Sequence, residues 1–276
     1  MKYIKFSFLF LSIIVSSLAA NAAISKQDMA NTINKAGKQR MLTQKMSKEV
    51  LFIALNIDVE MNRDELESTI ELFDKTLQGL INGDTYLGLV TTKNADILAK
   101  LKQVESLWKH FQENLNTIQE GNISSEILVV ISEQNIPLLH KMDEAVKTYE
   151  KEGGSIFEPS LAKIINKAGK QRMLIQKMTK ELLLVAKKID LITNKTNLAN
   201  SVSEFETTLS ELKTADNNAS INAQLQKVQK KWNKYKPILD NLDVSEQTLH
   251  KIDKLSVSLY RAMNKAVQLY ANSVKD

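Results

Sequence analysis

One 17-residue window occurs twice in this chain. Ile33 to Glu49 reads INKAGKQRMLTQKMSKE and Ile165 to Glu181 reads INKAGKQRMLIQKMTKE, so 15 of 17 positions agree at an offset of 132. Without a gap, Phe73, Leu77 and Leu80 align with Phe205, Leu209 and Leu212. Past a deletion of eight residues, Trp108-Lys109-His110-Phe111 aligns with Trp232-Asn233-Lys234-Tyr235, and Met142, Ala145, Val146 and Tyr149 align with Met263, Ala266, Val267 and Tyr270. The chain is therefore one unit written twice, and any fold must be built from two similar halves. Between Val50 and Asn82, however, only 10 of 33 positions match Leu182 to Thr214. Cores tolerate apolar swaps, so two copies that drift everywhere except in one window point to a demand beyond packing.

Each copy has the length and breaks of four helices. Eight Gly and 3 Pro in 276 residues are far below the roughly 19 and 14 of average usage, which disfavours turn-rich β and α/β folds. Leu66, Ile70, Phe73, Leu77 and Leu80 recur at the 3/4 spacing of a helix face. Breaks at Asn62, Asn82-Gly83-Asp84 and Gly121-Asn122, and then near Asn194, Asp216-Asn217-Asn218 and Asp243, predict helices over 24–59, 63–81, 94–118 and 123–151, then 159–192, 197–213, 219–240 and 244–273. Gly153-Gly154 is expected to stop one unit and Pro159 to start the next, while Pro137 and Pro237 kink or shorten their helices. The fold class expected is all-α: two tandem antiparallel four-helix bundles, pseudo-twofold related. The expected divisions are a signal peptide over 1–22, a first unit over 23–154 and a second over 155–276.

On the first helix, Leu42, Met46, Val50, Ile53 and Ile57 share the side that fills the bundle. Lys38, Lys45 and Lys48 fall opposite and read as a solvated face. Between them runs a third stripe, Ile33, Gly37, Arg40, Gln44, Ser47 and Leu51, repeated as Ile165, Gly169, Arg172, Gln176, Thr179 and Leu183. Apolar ends around a glycine and polar centres suit a helix–helix seam that encloses something polar. Gly37 and Gly169 each weaken a helix interior by about 0.5–1 kcal/mol relative to Ala, a cost that makes sense where backbone must approach a partner closely. Neither Arg40 nor Arg172 has a carboxylate one turn away on its own helix face. If the seams face each other, guanidiniums about 5 Å apart at an effective dielectric of 20 repel by about 3 kcal/mol. A small planar anion between the two forks reverses that sign; the alternative is a carboxylate partner for each arginine on another helix.

The run Ile-Asn-x-Ala-Gly-x-Gln-Arg-Met-Leu-x-Gln-x-Met, present in both copies, resembles the signature of the PilJ/NarX-like N-terminal sensor domain. That domain is the periplasmic four-helix module of nitrate/nitrite sensor kinases and of type IV pilus chemotaxis transducers. The resemblance implies dimerisation along the motif helix, with one nitrate on the dyad held by the motif arginine and by backbone near its glycine. Carried over by position, the ligand residues are Arg40 and Arg172 beside Gly37 and Gly169, with Gln44, Gln176, Ser47 and Thr179 as a possible surrounding shell. Lys38 and Lys170 stand where many pilus-type members have arginine. With no transmembrane or signalling segment after Asp276, the chain is expected to act with a separate membrane-bound sensor kinase or chemoreceptor. The tandem copies imply that one chain contains the sensor dimer, a homodimer being the other arrangement.

The N-terminus reads as an export signal: Lys2 and Lys5, an apolar run from Phe6 to Ala20, then Ala20-Asn21-Ala22 as a cleavage site. This places the mature protein in the periplasm, with no span in the mature chain. Loss of Lys2 and Lys5 lowers the formal charge from +5 to +3, and with no basic tract nucleic acid is not an expected partner. Zero Cys excludes disulfides, thiolate metal sites and cysteine nucleophiles. His110, His140 and His250 lack metal-site spacing, and no nucleophile elbow, P-loop or dinucleotide fingerprint occurs. No metal, cofactor or enzymatic activity is expected. Met41, Met46, Met173 and Met178 read as core filling, and Trp108 and Trp232 as equivalent core anchors. Two functions remain: a binding protein for a small oxyanion such as nitrate or nitrite, or a ligand-free helical interaction module associated with pili or a chemoreceptor.

Overall fold

A computed structural model describes residues 24–275. They form eight helices: α1 (Lys26–Ala54), α2 (Val59–Asn82), α3 (Ala95–Gln119), α4 (Ser125–Ile156), α5 (Pro159–Ala186), α6 (Leu191–Thr214), α7 (Ala219–Asn241) and α8 (Glu246–Ala271). Helices α1 to α4 close one antiparallel bundle and α5 to α8 a second, each helix packing on its ring neighbours. Side chains that cap helix ends set several starts: Ser25, Asn94, Ser124 and Asn218 each accept a backbone N–H of the first turn. Inside each bundle the same aromatic cluster recurs. Phe73 lies 4.4 Å from Trp108 and Phe205 lies 4.3 Å from Trp232, centroid to centroid. Each indole N–H reaches a carboxylate, Asp74 at 3.0 Å and Glu206 at 3.1 Å, so both tryptophans anchor the core without an orphaned donor.

Three local expectations are corrected. Asn62 and Asn194 do not break the chain; they sit in the first turns of α2 and α6. Each amide donates back to the preceding turn, Asn62 to the carbonyl of Ile57 at 3.1 Å and Asn194 to that of Ile189 at 2.9 Å. The breaks themselves lie just upstream, where Asn56 and Asp58, and Lys188 and Asp190, hold left-handed backbone. Gly153-Gly154 does not end α4, which continues to Ile156. Gly153 is instead a contact position, since a Cβ there would stand 2.6 Å from Ile33 Cδ1. Pro137 and Pro237 are both accommodated inside their helices.

The lysine face of α1 is the third correction. Lys48 is buried and pairs with Asp253 of α8 at 3.4 Å. Lys45 pairs with Glu49 and, at 2.5 Å, with Glu65 of α2, and Lys38 is half-buried. The reason is that α1 has no free side: α2 and α4 flank it, α8 touches it, and α5 packs along its length. Helix α5 is enclosed in the same way by α6, α8, α1 and α4. The two motif helices thus meet inside one chain. They run parallel, because Arg40 reaches Asn166, Gln44 reaches Lys180 and the Ala54 carbonyl reaches Lys187. The pseudo-twofold axis therefore runs along the α1/α5 seam.

The bundles differ most at the α2–α3 connection. Residues 83–94 form a tight hairpin with an Asp84–Leu89 bridge, whereas α6 and α7 are joined by 215–218 alone. The expected signal peptide, residues 1–22, lies outside the described residues. Among the described residues, no helix is long and apolar enough to cross a membrane.

Candidate functional site

Halfway along the seam, Arg40 and Arg172 come together. A Cβ on Gly37 would stand 3.4 Å from Nη2 of Arg40 and 3.7 Å from Nη2 of Arg172. On Gly169 the same distances are 3.5 Å to Arg172 and 3.7 Å to Arg40. The glycines form the walls and the two guanidinium forks meet between them. Each arginine reaches across to the other motif helix: Arg40 Nη2 donates to Asn166 Oδ1 at 2.6 Å, and Arg172 Nη2 donates to the Asn34 carbonyl at 2.9 Å. Both side chains are 1 % exposed, and the Nε of each is buried without a partner. Unpartnered buried donors of this kind are uncommon in folded proteins.

The two arginines are not electrostatically equal. Arg40 Nη1 donates to Asp143 of α4, a carboxylate that Lys147 also engages at 2.8 Å. Arg172 Nη1 instead donates to the neutral amide oxygen of Asn264, on α8, at 2.7 Å, and among the described residues it has no carboxylate partner. Burial pulls the Arg172 pKa down to about 10; the Tyr260 phenol opposes the fall and Arg40 adds to it. Burial also lowers Arg40, with Asp143 opposing. Burial works to raise the Asp143 carboxyl, yet Arg40 and Lys147 together hold it below the usual range. Lys38, half-buried nearby, is drawn down to about 8 by burial and then by Arg172.

One turn and more along the seam lie the other stripe residues, engaged elsewhere. Gln44 donates to Asn135 Oδ1 at 2.6 Å and accepts from the buried Lys180 ammonium at 2.8 Å. Gln176 is buried with an unpartnered Oε1. Ser47 donates to the Thr43 carbonyl at 3.5 Å, and Thr179 shares 2.7 Å with the Tyr235 hydroxyl. The structure brings Arg40, Arg172, Gly37 and Gly169 to one point and leaves these four in separate networks. Sequence reasoning missed Asp143, Asn264, Asn34 and Asn166. Asn34 and Asn166 are in the repeated window, and Asp143 and Asn264 follow the aligned Met142 and Met263, so the register of the repeat contains the signal for all four.

Chemically, the point offers paired donor forks beside one carboxylate, Asp143. The alternative of a carboxylate partner for each arginine is met at Arg40 and, among the described residues, not at Arg172. A search among curated proteins found no match. The model of the PilJ family, described as "Type IV pili methyl-accepting chemotaxis transducer N-term", matches the chain twice, over residues 23–132 and 158–257. Since the two matches cover most of the chain and each contains one copy of the arginine-bearing helix, the protein belongs to this family of chemoreceptor sensor-type modules, which is not a family of enzymes.

Proposed function

We propose that the protein binds a small oxyanion, nitrate or nitrite foremost, between Arg40 and Arg172 and passes its occupancy to a membrane-bound sensor kinase or chemoreceptor. The observation that carries this reading is the meeting of two fully buried guanidiniums of which only Arg40 has a directly bonded carboxylate, Asp143. Buried cations ordinarily have a charged partner, and Arg172 has only amide oxygens. A planar anion accepts from both forks, bidentate geometry suits it, and the unpartnered Nε atoms add donors. Gly37 and Gly169 place no side chain against the forks. Nitrate is favoured among such anions because it is what the resemblance of the motif implies. The leader expected over residues 1–22 supports a periplasmic location for this activity.

Calorimetry and thermal melting of the chain beginning at Ala23, with nitrate, nitrite and sulfate, test the proposal. One anion per chain is the expected stoichiometry, because both arginines share one site. A hundredfold excess over Kd should add about 2.7 kcal/mol of stability, and Arg40→Ala and Arg172→Ala should each abolish the effect. Absence of any anion-dependent heat or melting shift would refute the reading and leave the arginines as structural groups.

A further inference from the structure

The inequality between Arg40 and Arg172 fixes the charge of the anion. Registering α4 on α8 through Met142 and Met263 pairs Asp143 with Asn264, Lys147 with Gln268 and Glu150 with Ala271. At these three positions one half of the pseudo-dimer carries ionisable groups and the other does not, although Tyr260 of the second half also faces Arg172. Of those three, Lys147 is 68 % exposed and Asp143 21 %, and Glu150 is half-buried, accepting from Asn166 Nδ2. At the rim Lys147 pairs with the outer oxygen of Asp143 and Lys170 pairs with Glu204, while Glu150 and Glu204 act on Arg40 through space without bonding it. Lys38 is half-buried and bears on Arg172 without bonding either fork, and burial makes its own charged form easier to lose. Of the groups bonded directly to the two forks, Asp143 alone is charged and the rest are amide oxygens of Asn34, Asn166 and Asn264, so two guanidiniums and one carboxylate leave one net positive charge at the point where they meet.

We infer that Asp143 is the specificity-determining residue of this site and restricts it to singly charged anions. This rests on the oxyanion reading above and deepens it. A monoanion brings the buried cluster to neutrality. A dianion leaves a net negative charge where burial of uncompensated charge is strongly unfavourable. At an effective dielectric of 20, one unit charge about 6 Å away changes binding by about a hundredfold for each unit on the ligand. Asp143 therefore weakens nitrate moderately and sulfate far more. Its neutral counterpart Asn264 leaves Arg172 as the fully charged donor, so the anion is held off-centre, closer to Arg172.

Two isosteric exchanges test this with the full mature chain, titrated with sodium nitrate and sodium sulfate by calorimetry at constant ionic strength. Asp143→Asn should tighten sulfate at least tenfold more than nitrate, narrowing the preference between them. Asn264→Asp gives Arg172 a carboxylate of its own and should weaken nitrate at least tenfold while the melting temperature of the unliganded protein is retained or rises. Nitrate binding by wild type with an unchanged nitrate-to-sulfate ratio in Asp143→Asn would overturn the assignment of Asp143 and leave the oxyanion site standing. Binding of neither anion by wild type or by Asp143→Asn would overturn both.

Discussion

Replacing Gly37 and Gly169 together by alanine should strengthen the fold and disable the site. Neither glycine has the positive φ that would forbid a side chain, so each is an ordinary helical residue. Every added methyl would find its nearest atoms at 3.4–3.7 Å, which is van der Waals contact and not a clash. Alanine is better than glycine in a helix interior by about 0.5–1 kcal/mol, so the pair gains about 1–2 kcal/mol, or about 2–8 °C in Tm. Those nearest atoms are the four contacts to Nη2 of Arg40 and Arg172, so the methyls occupy the space an anion must share with the forks. Overpacking of that size costs about 1–3 kcal/mol, or about ten- to hundredfold in Kd. Differential scanning calorimetry and nitrate titration of wild type and the double variant give both numbers. A variant that binds nitrate like wild type would show that the glycines do not shape the site. One that melts lower would show that the helix backbones approach more tightly than the contact distances state.

The remaining outcomes concern stability. Arg40→Met should destabilise the protein by about 1–3 kcal/mol, because it takes a partner from Asp143, whereas Arg172→Met should change it by less than about 1 kcal/mol, since a buried cation without a carboxylate is removed; urea unfolding of both variants checks the order. Lys180 is fully buried against Gln44 and Asn135 and its pKa is drawn down to about 8 by burial. The unfolded chain then binds more protons than the native one between about pH 8 and 10.5, so wild-type stability relative to Lys180→Met should rise across that window, by up to about 3 kcal/mol, and be flat below it. A difference curve that falls with pH there would refute the assignment. Gly154→Ala, whose Cβ would meet Pro159 at 3.4 Å, should be more stable than Gly153→Ala, whose Cβ would stand 2.6 Å from Ile33, by about 1–2 kcal/mol on the same unfolding axis.

Much of the architecture was legible because duplication exposes it. The repeated window located both motif helices, the matched aromatics located both cores, and the stripe from Ile33 to Leu51 is buried in the seam as its pattern implied. What could not be read was which side chains arrive from distant helices. Asp143 meets Arg40 across 103 positions, and no helical period links them. The lysine face was misread for a related reason: periodicity divides a helix into faces but does not say how many are covered, and a helix shared by two bundles has none to spare. The glycine pair misled because a Gly that ends a helix and a Gly that admits Ile33 look alike in sequence. The asparagines misled in the same way, since Asn62 and Asn194 mark the breaks only by capping back onto them.

The parallel pairing of α1 with α5 inside one chain has a consequence for dose and for descent. In an assembly of two identical subunits, a cradle on the axis exists only above the dissociation constant of the assembly, and every substitution strikes it twice. Covalent linkage makes the cradle independent of dilution. On the proposed oxyanion reading, one chain then offers one site and should give a simple saturation curve with a Hill coefficient of one, however scarce the protein is. It also lets the halves change separately, so that a carboxylate can be tried at position 143 while position 264 keeps an amide. A twin-subunit ancestor would have had to accept that change in both halves at once.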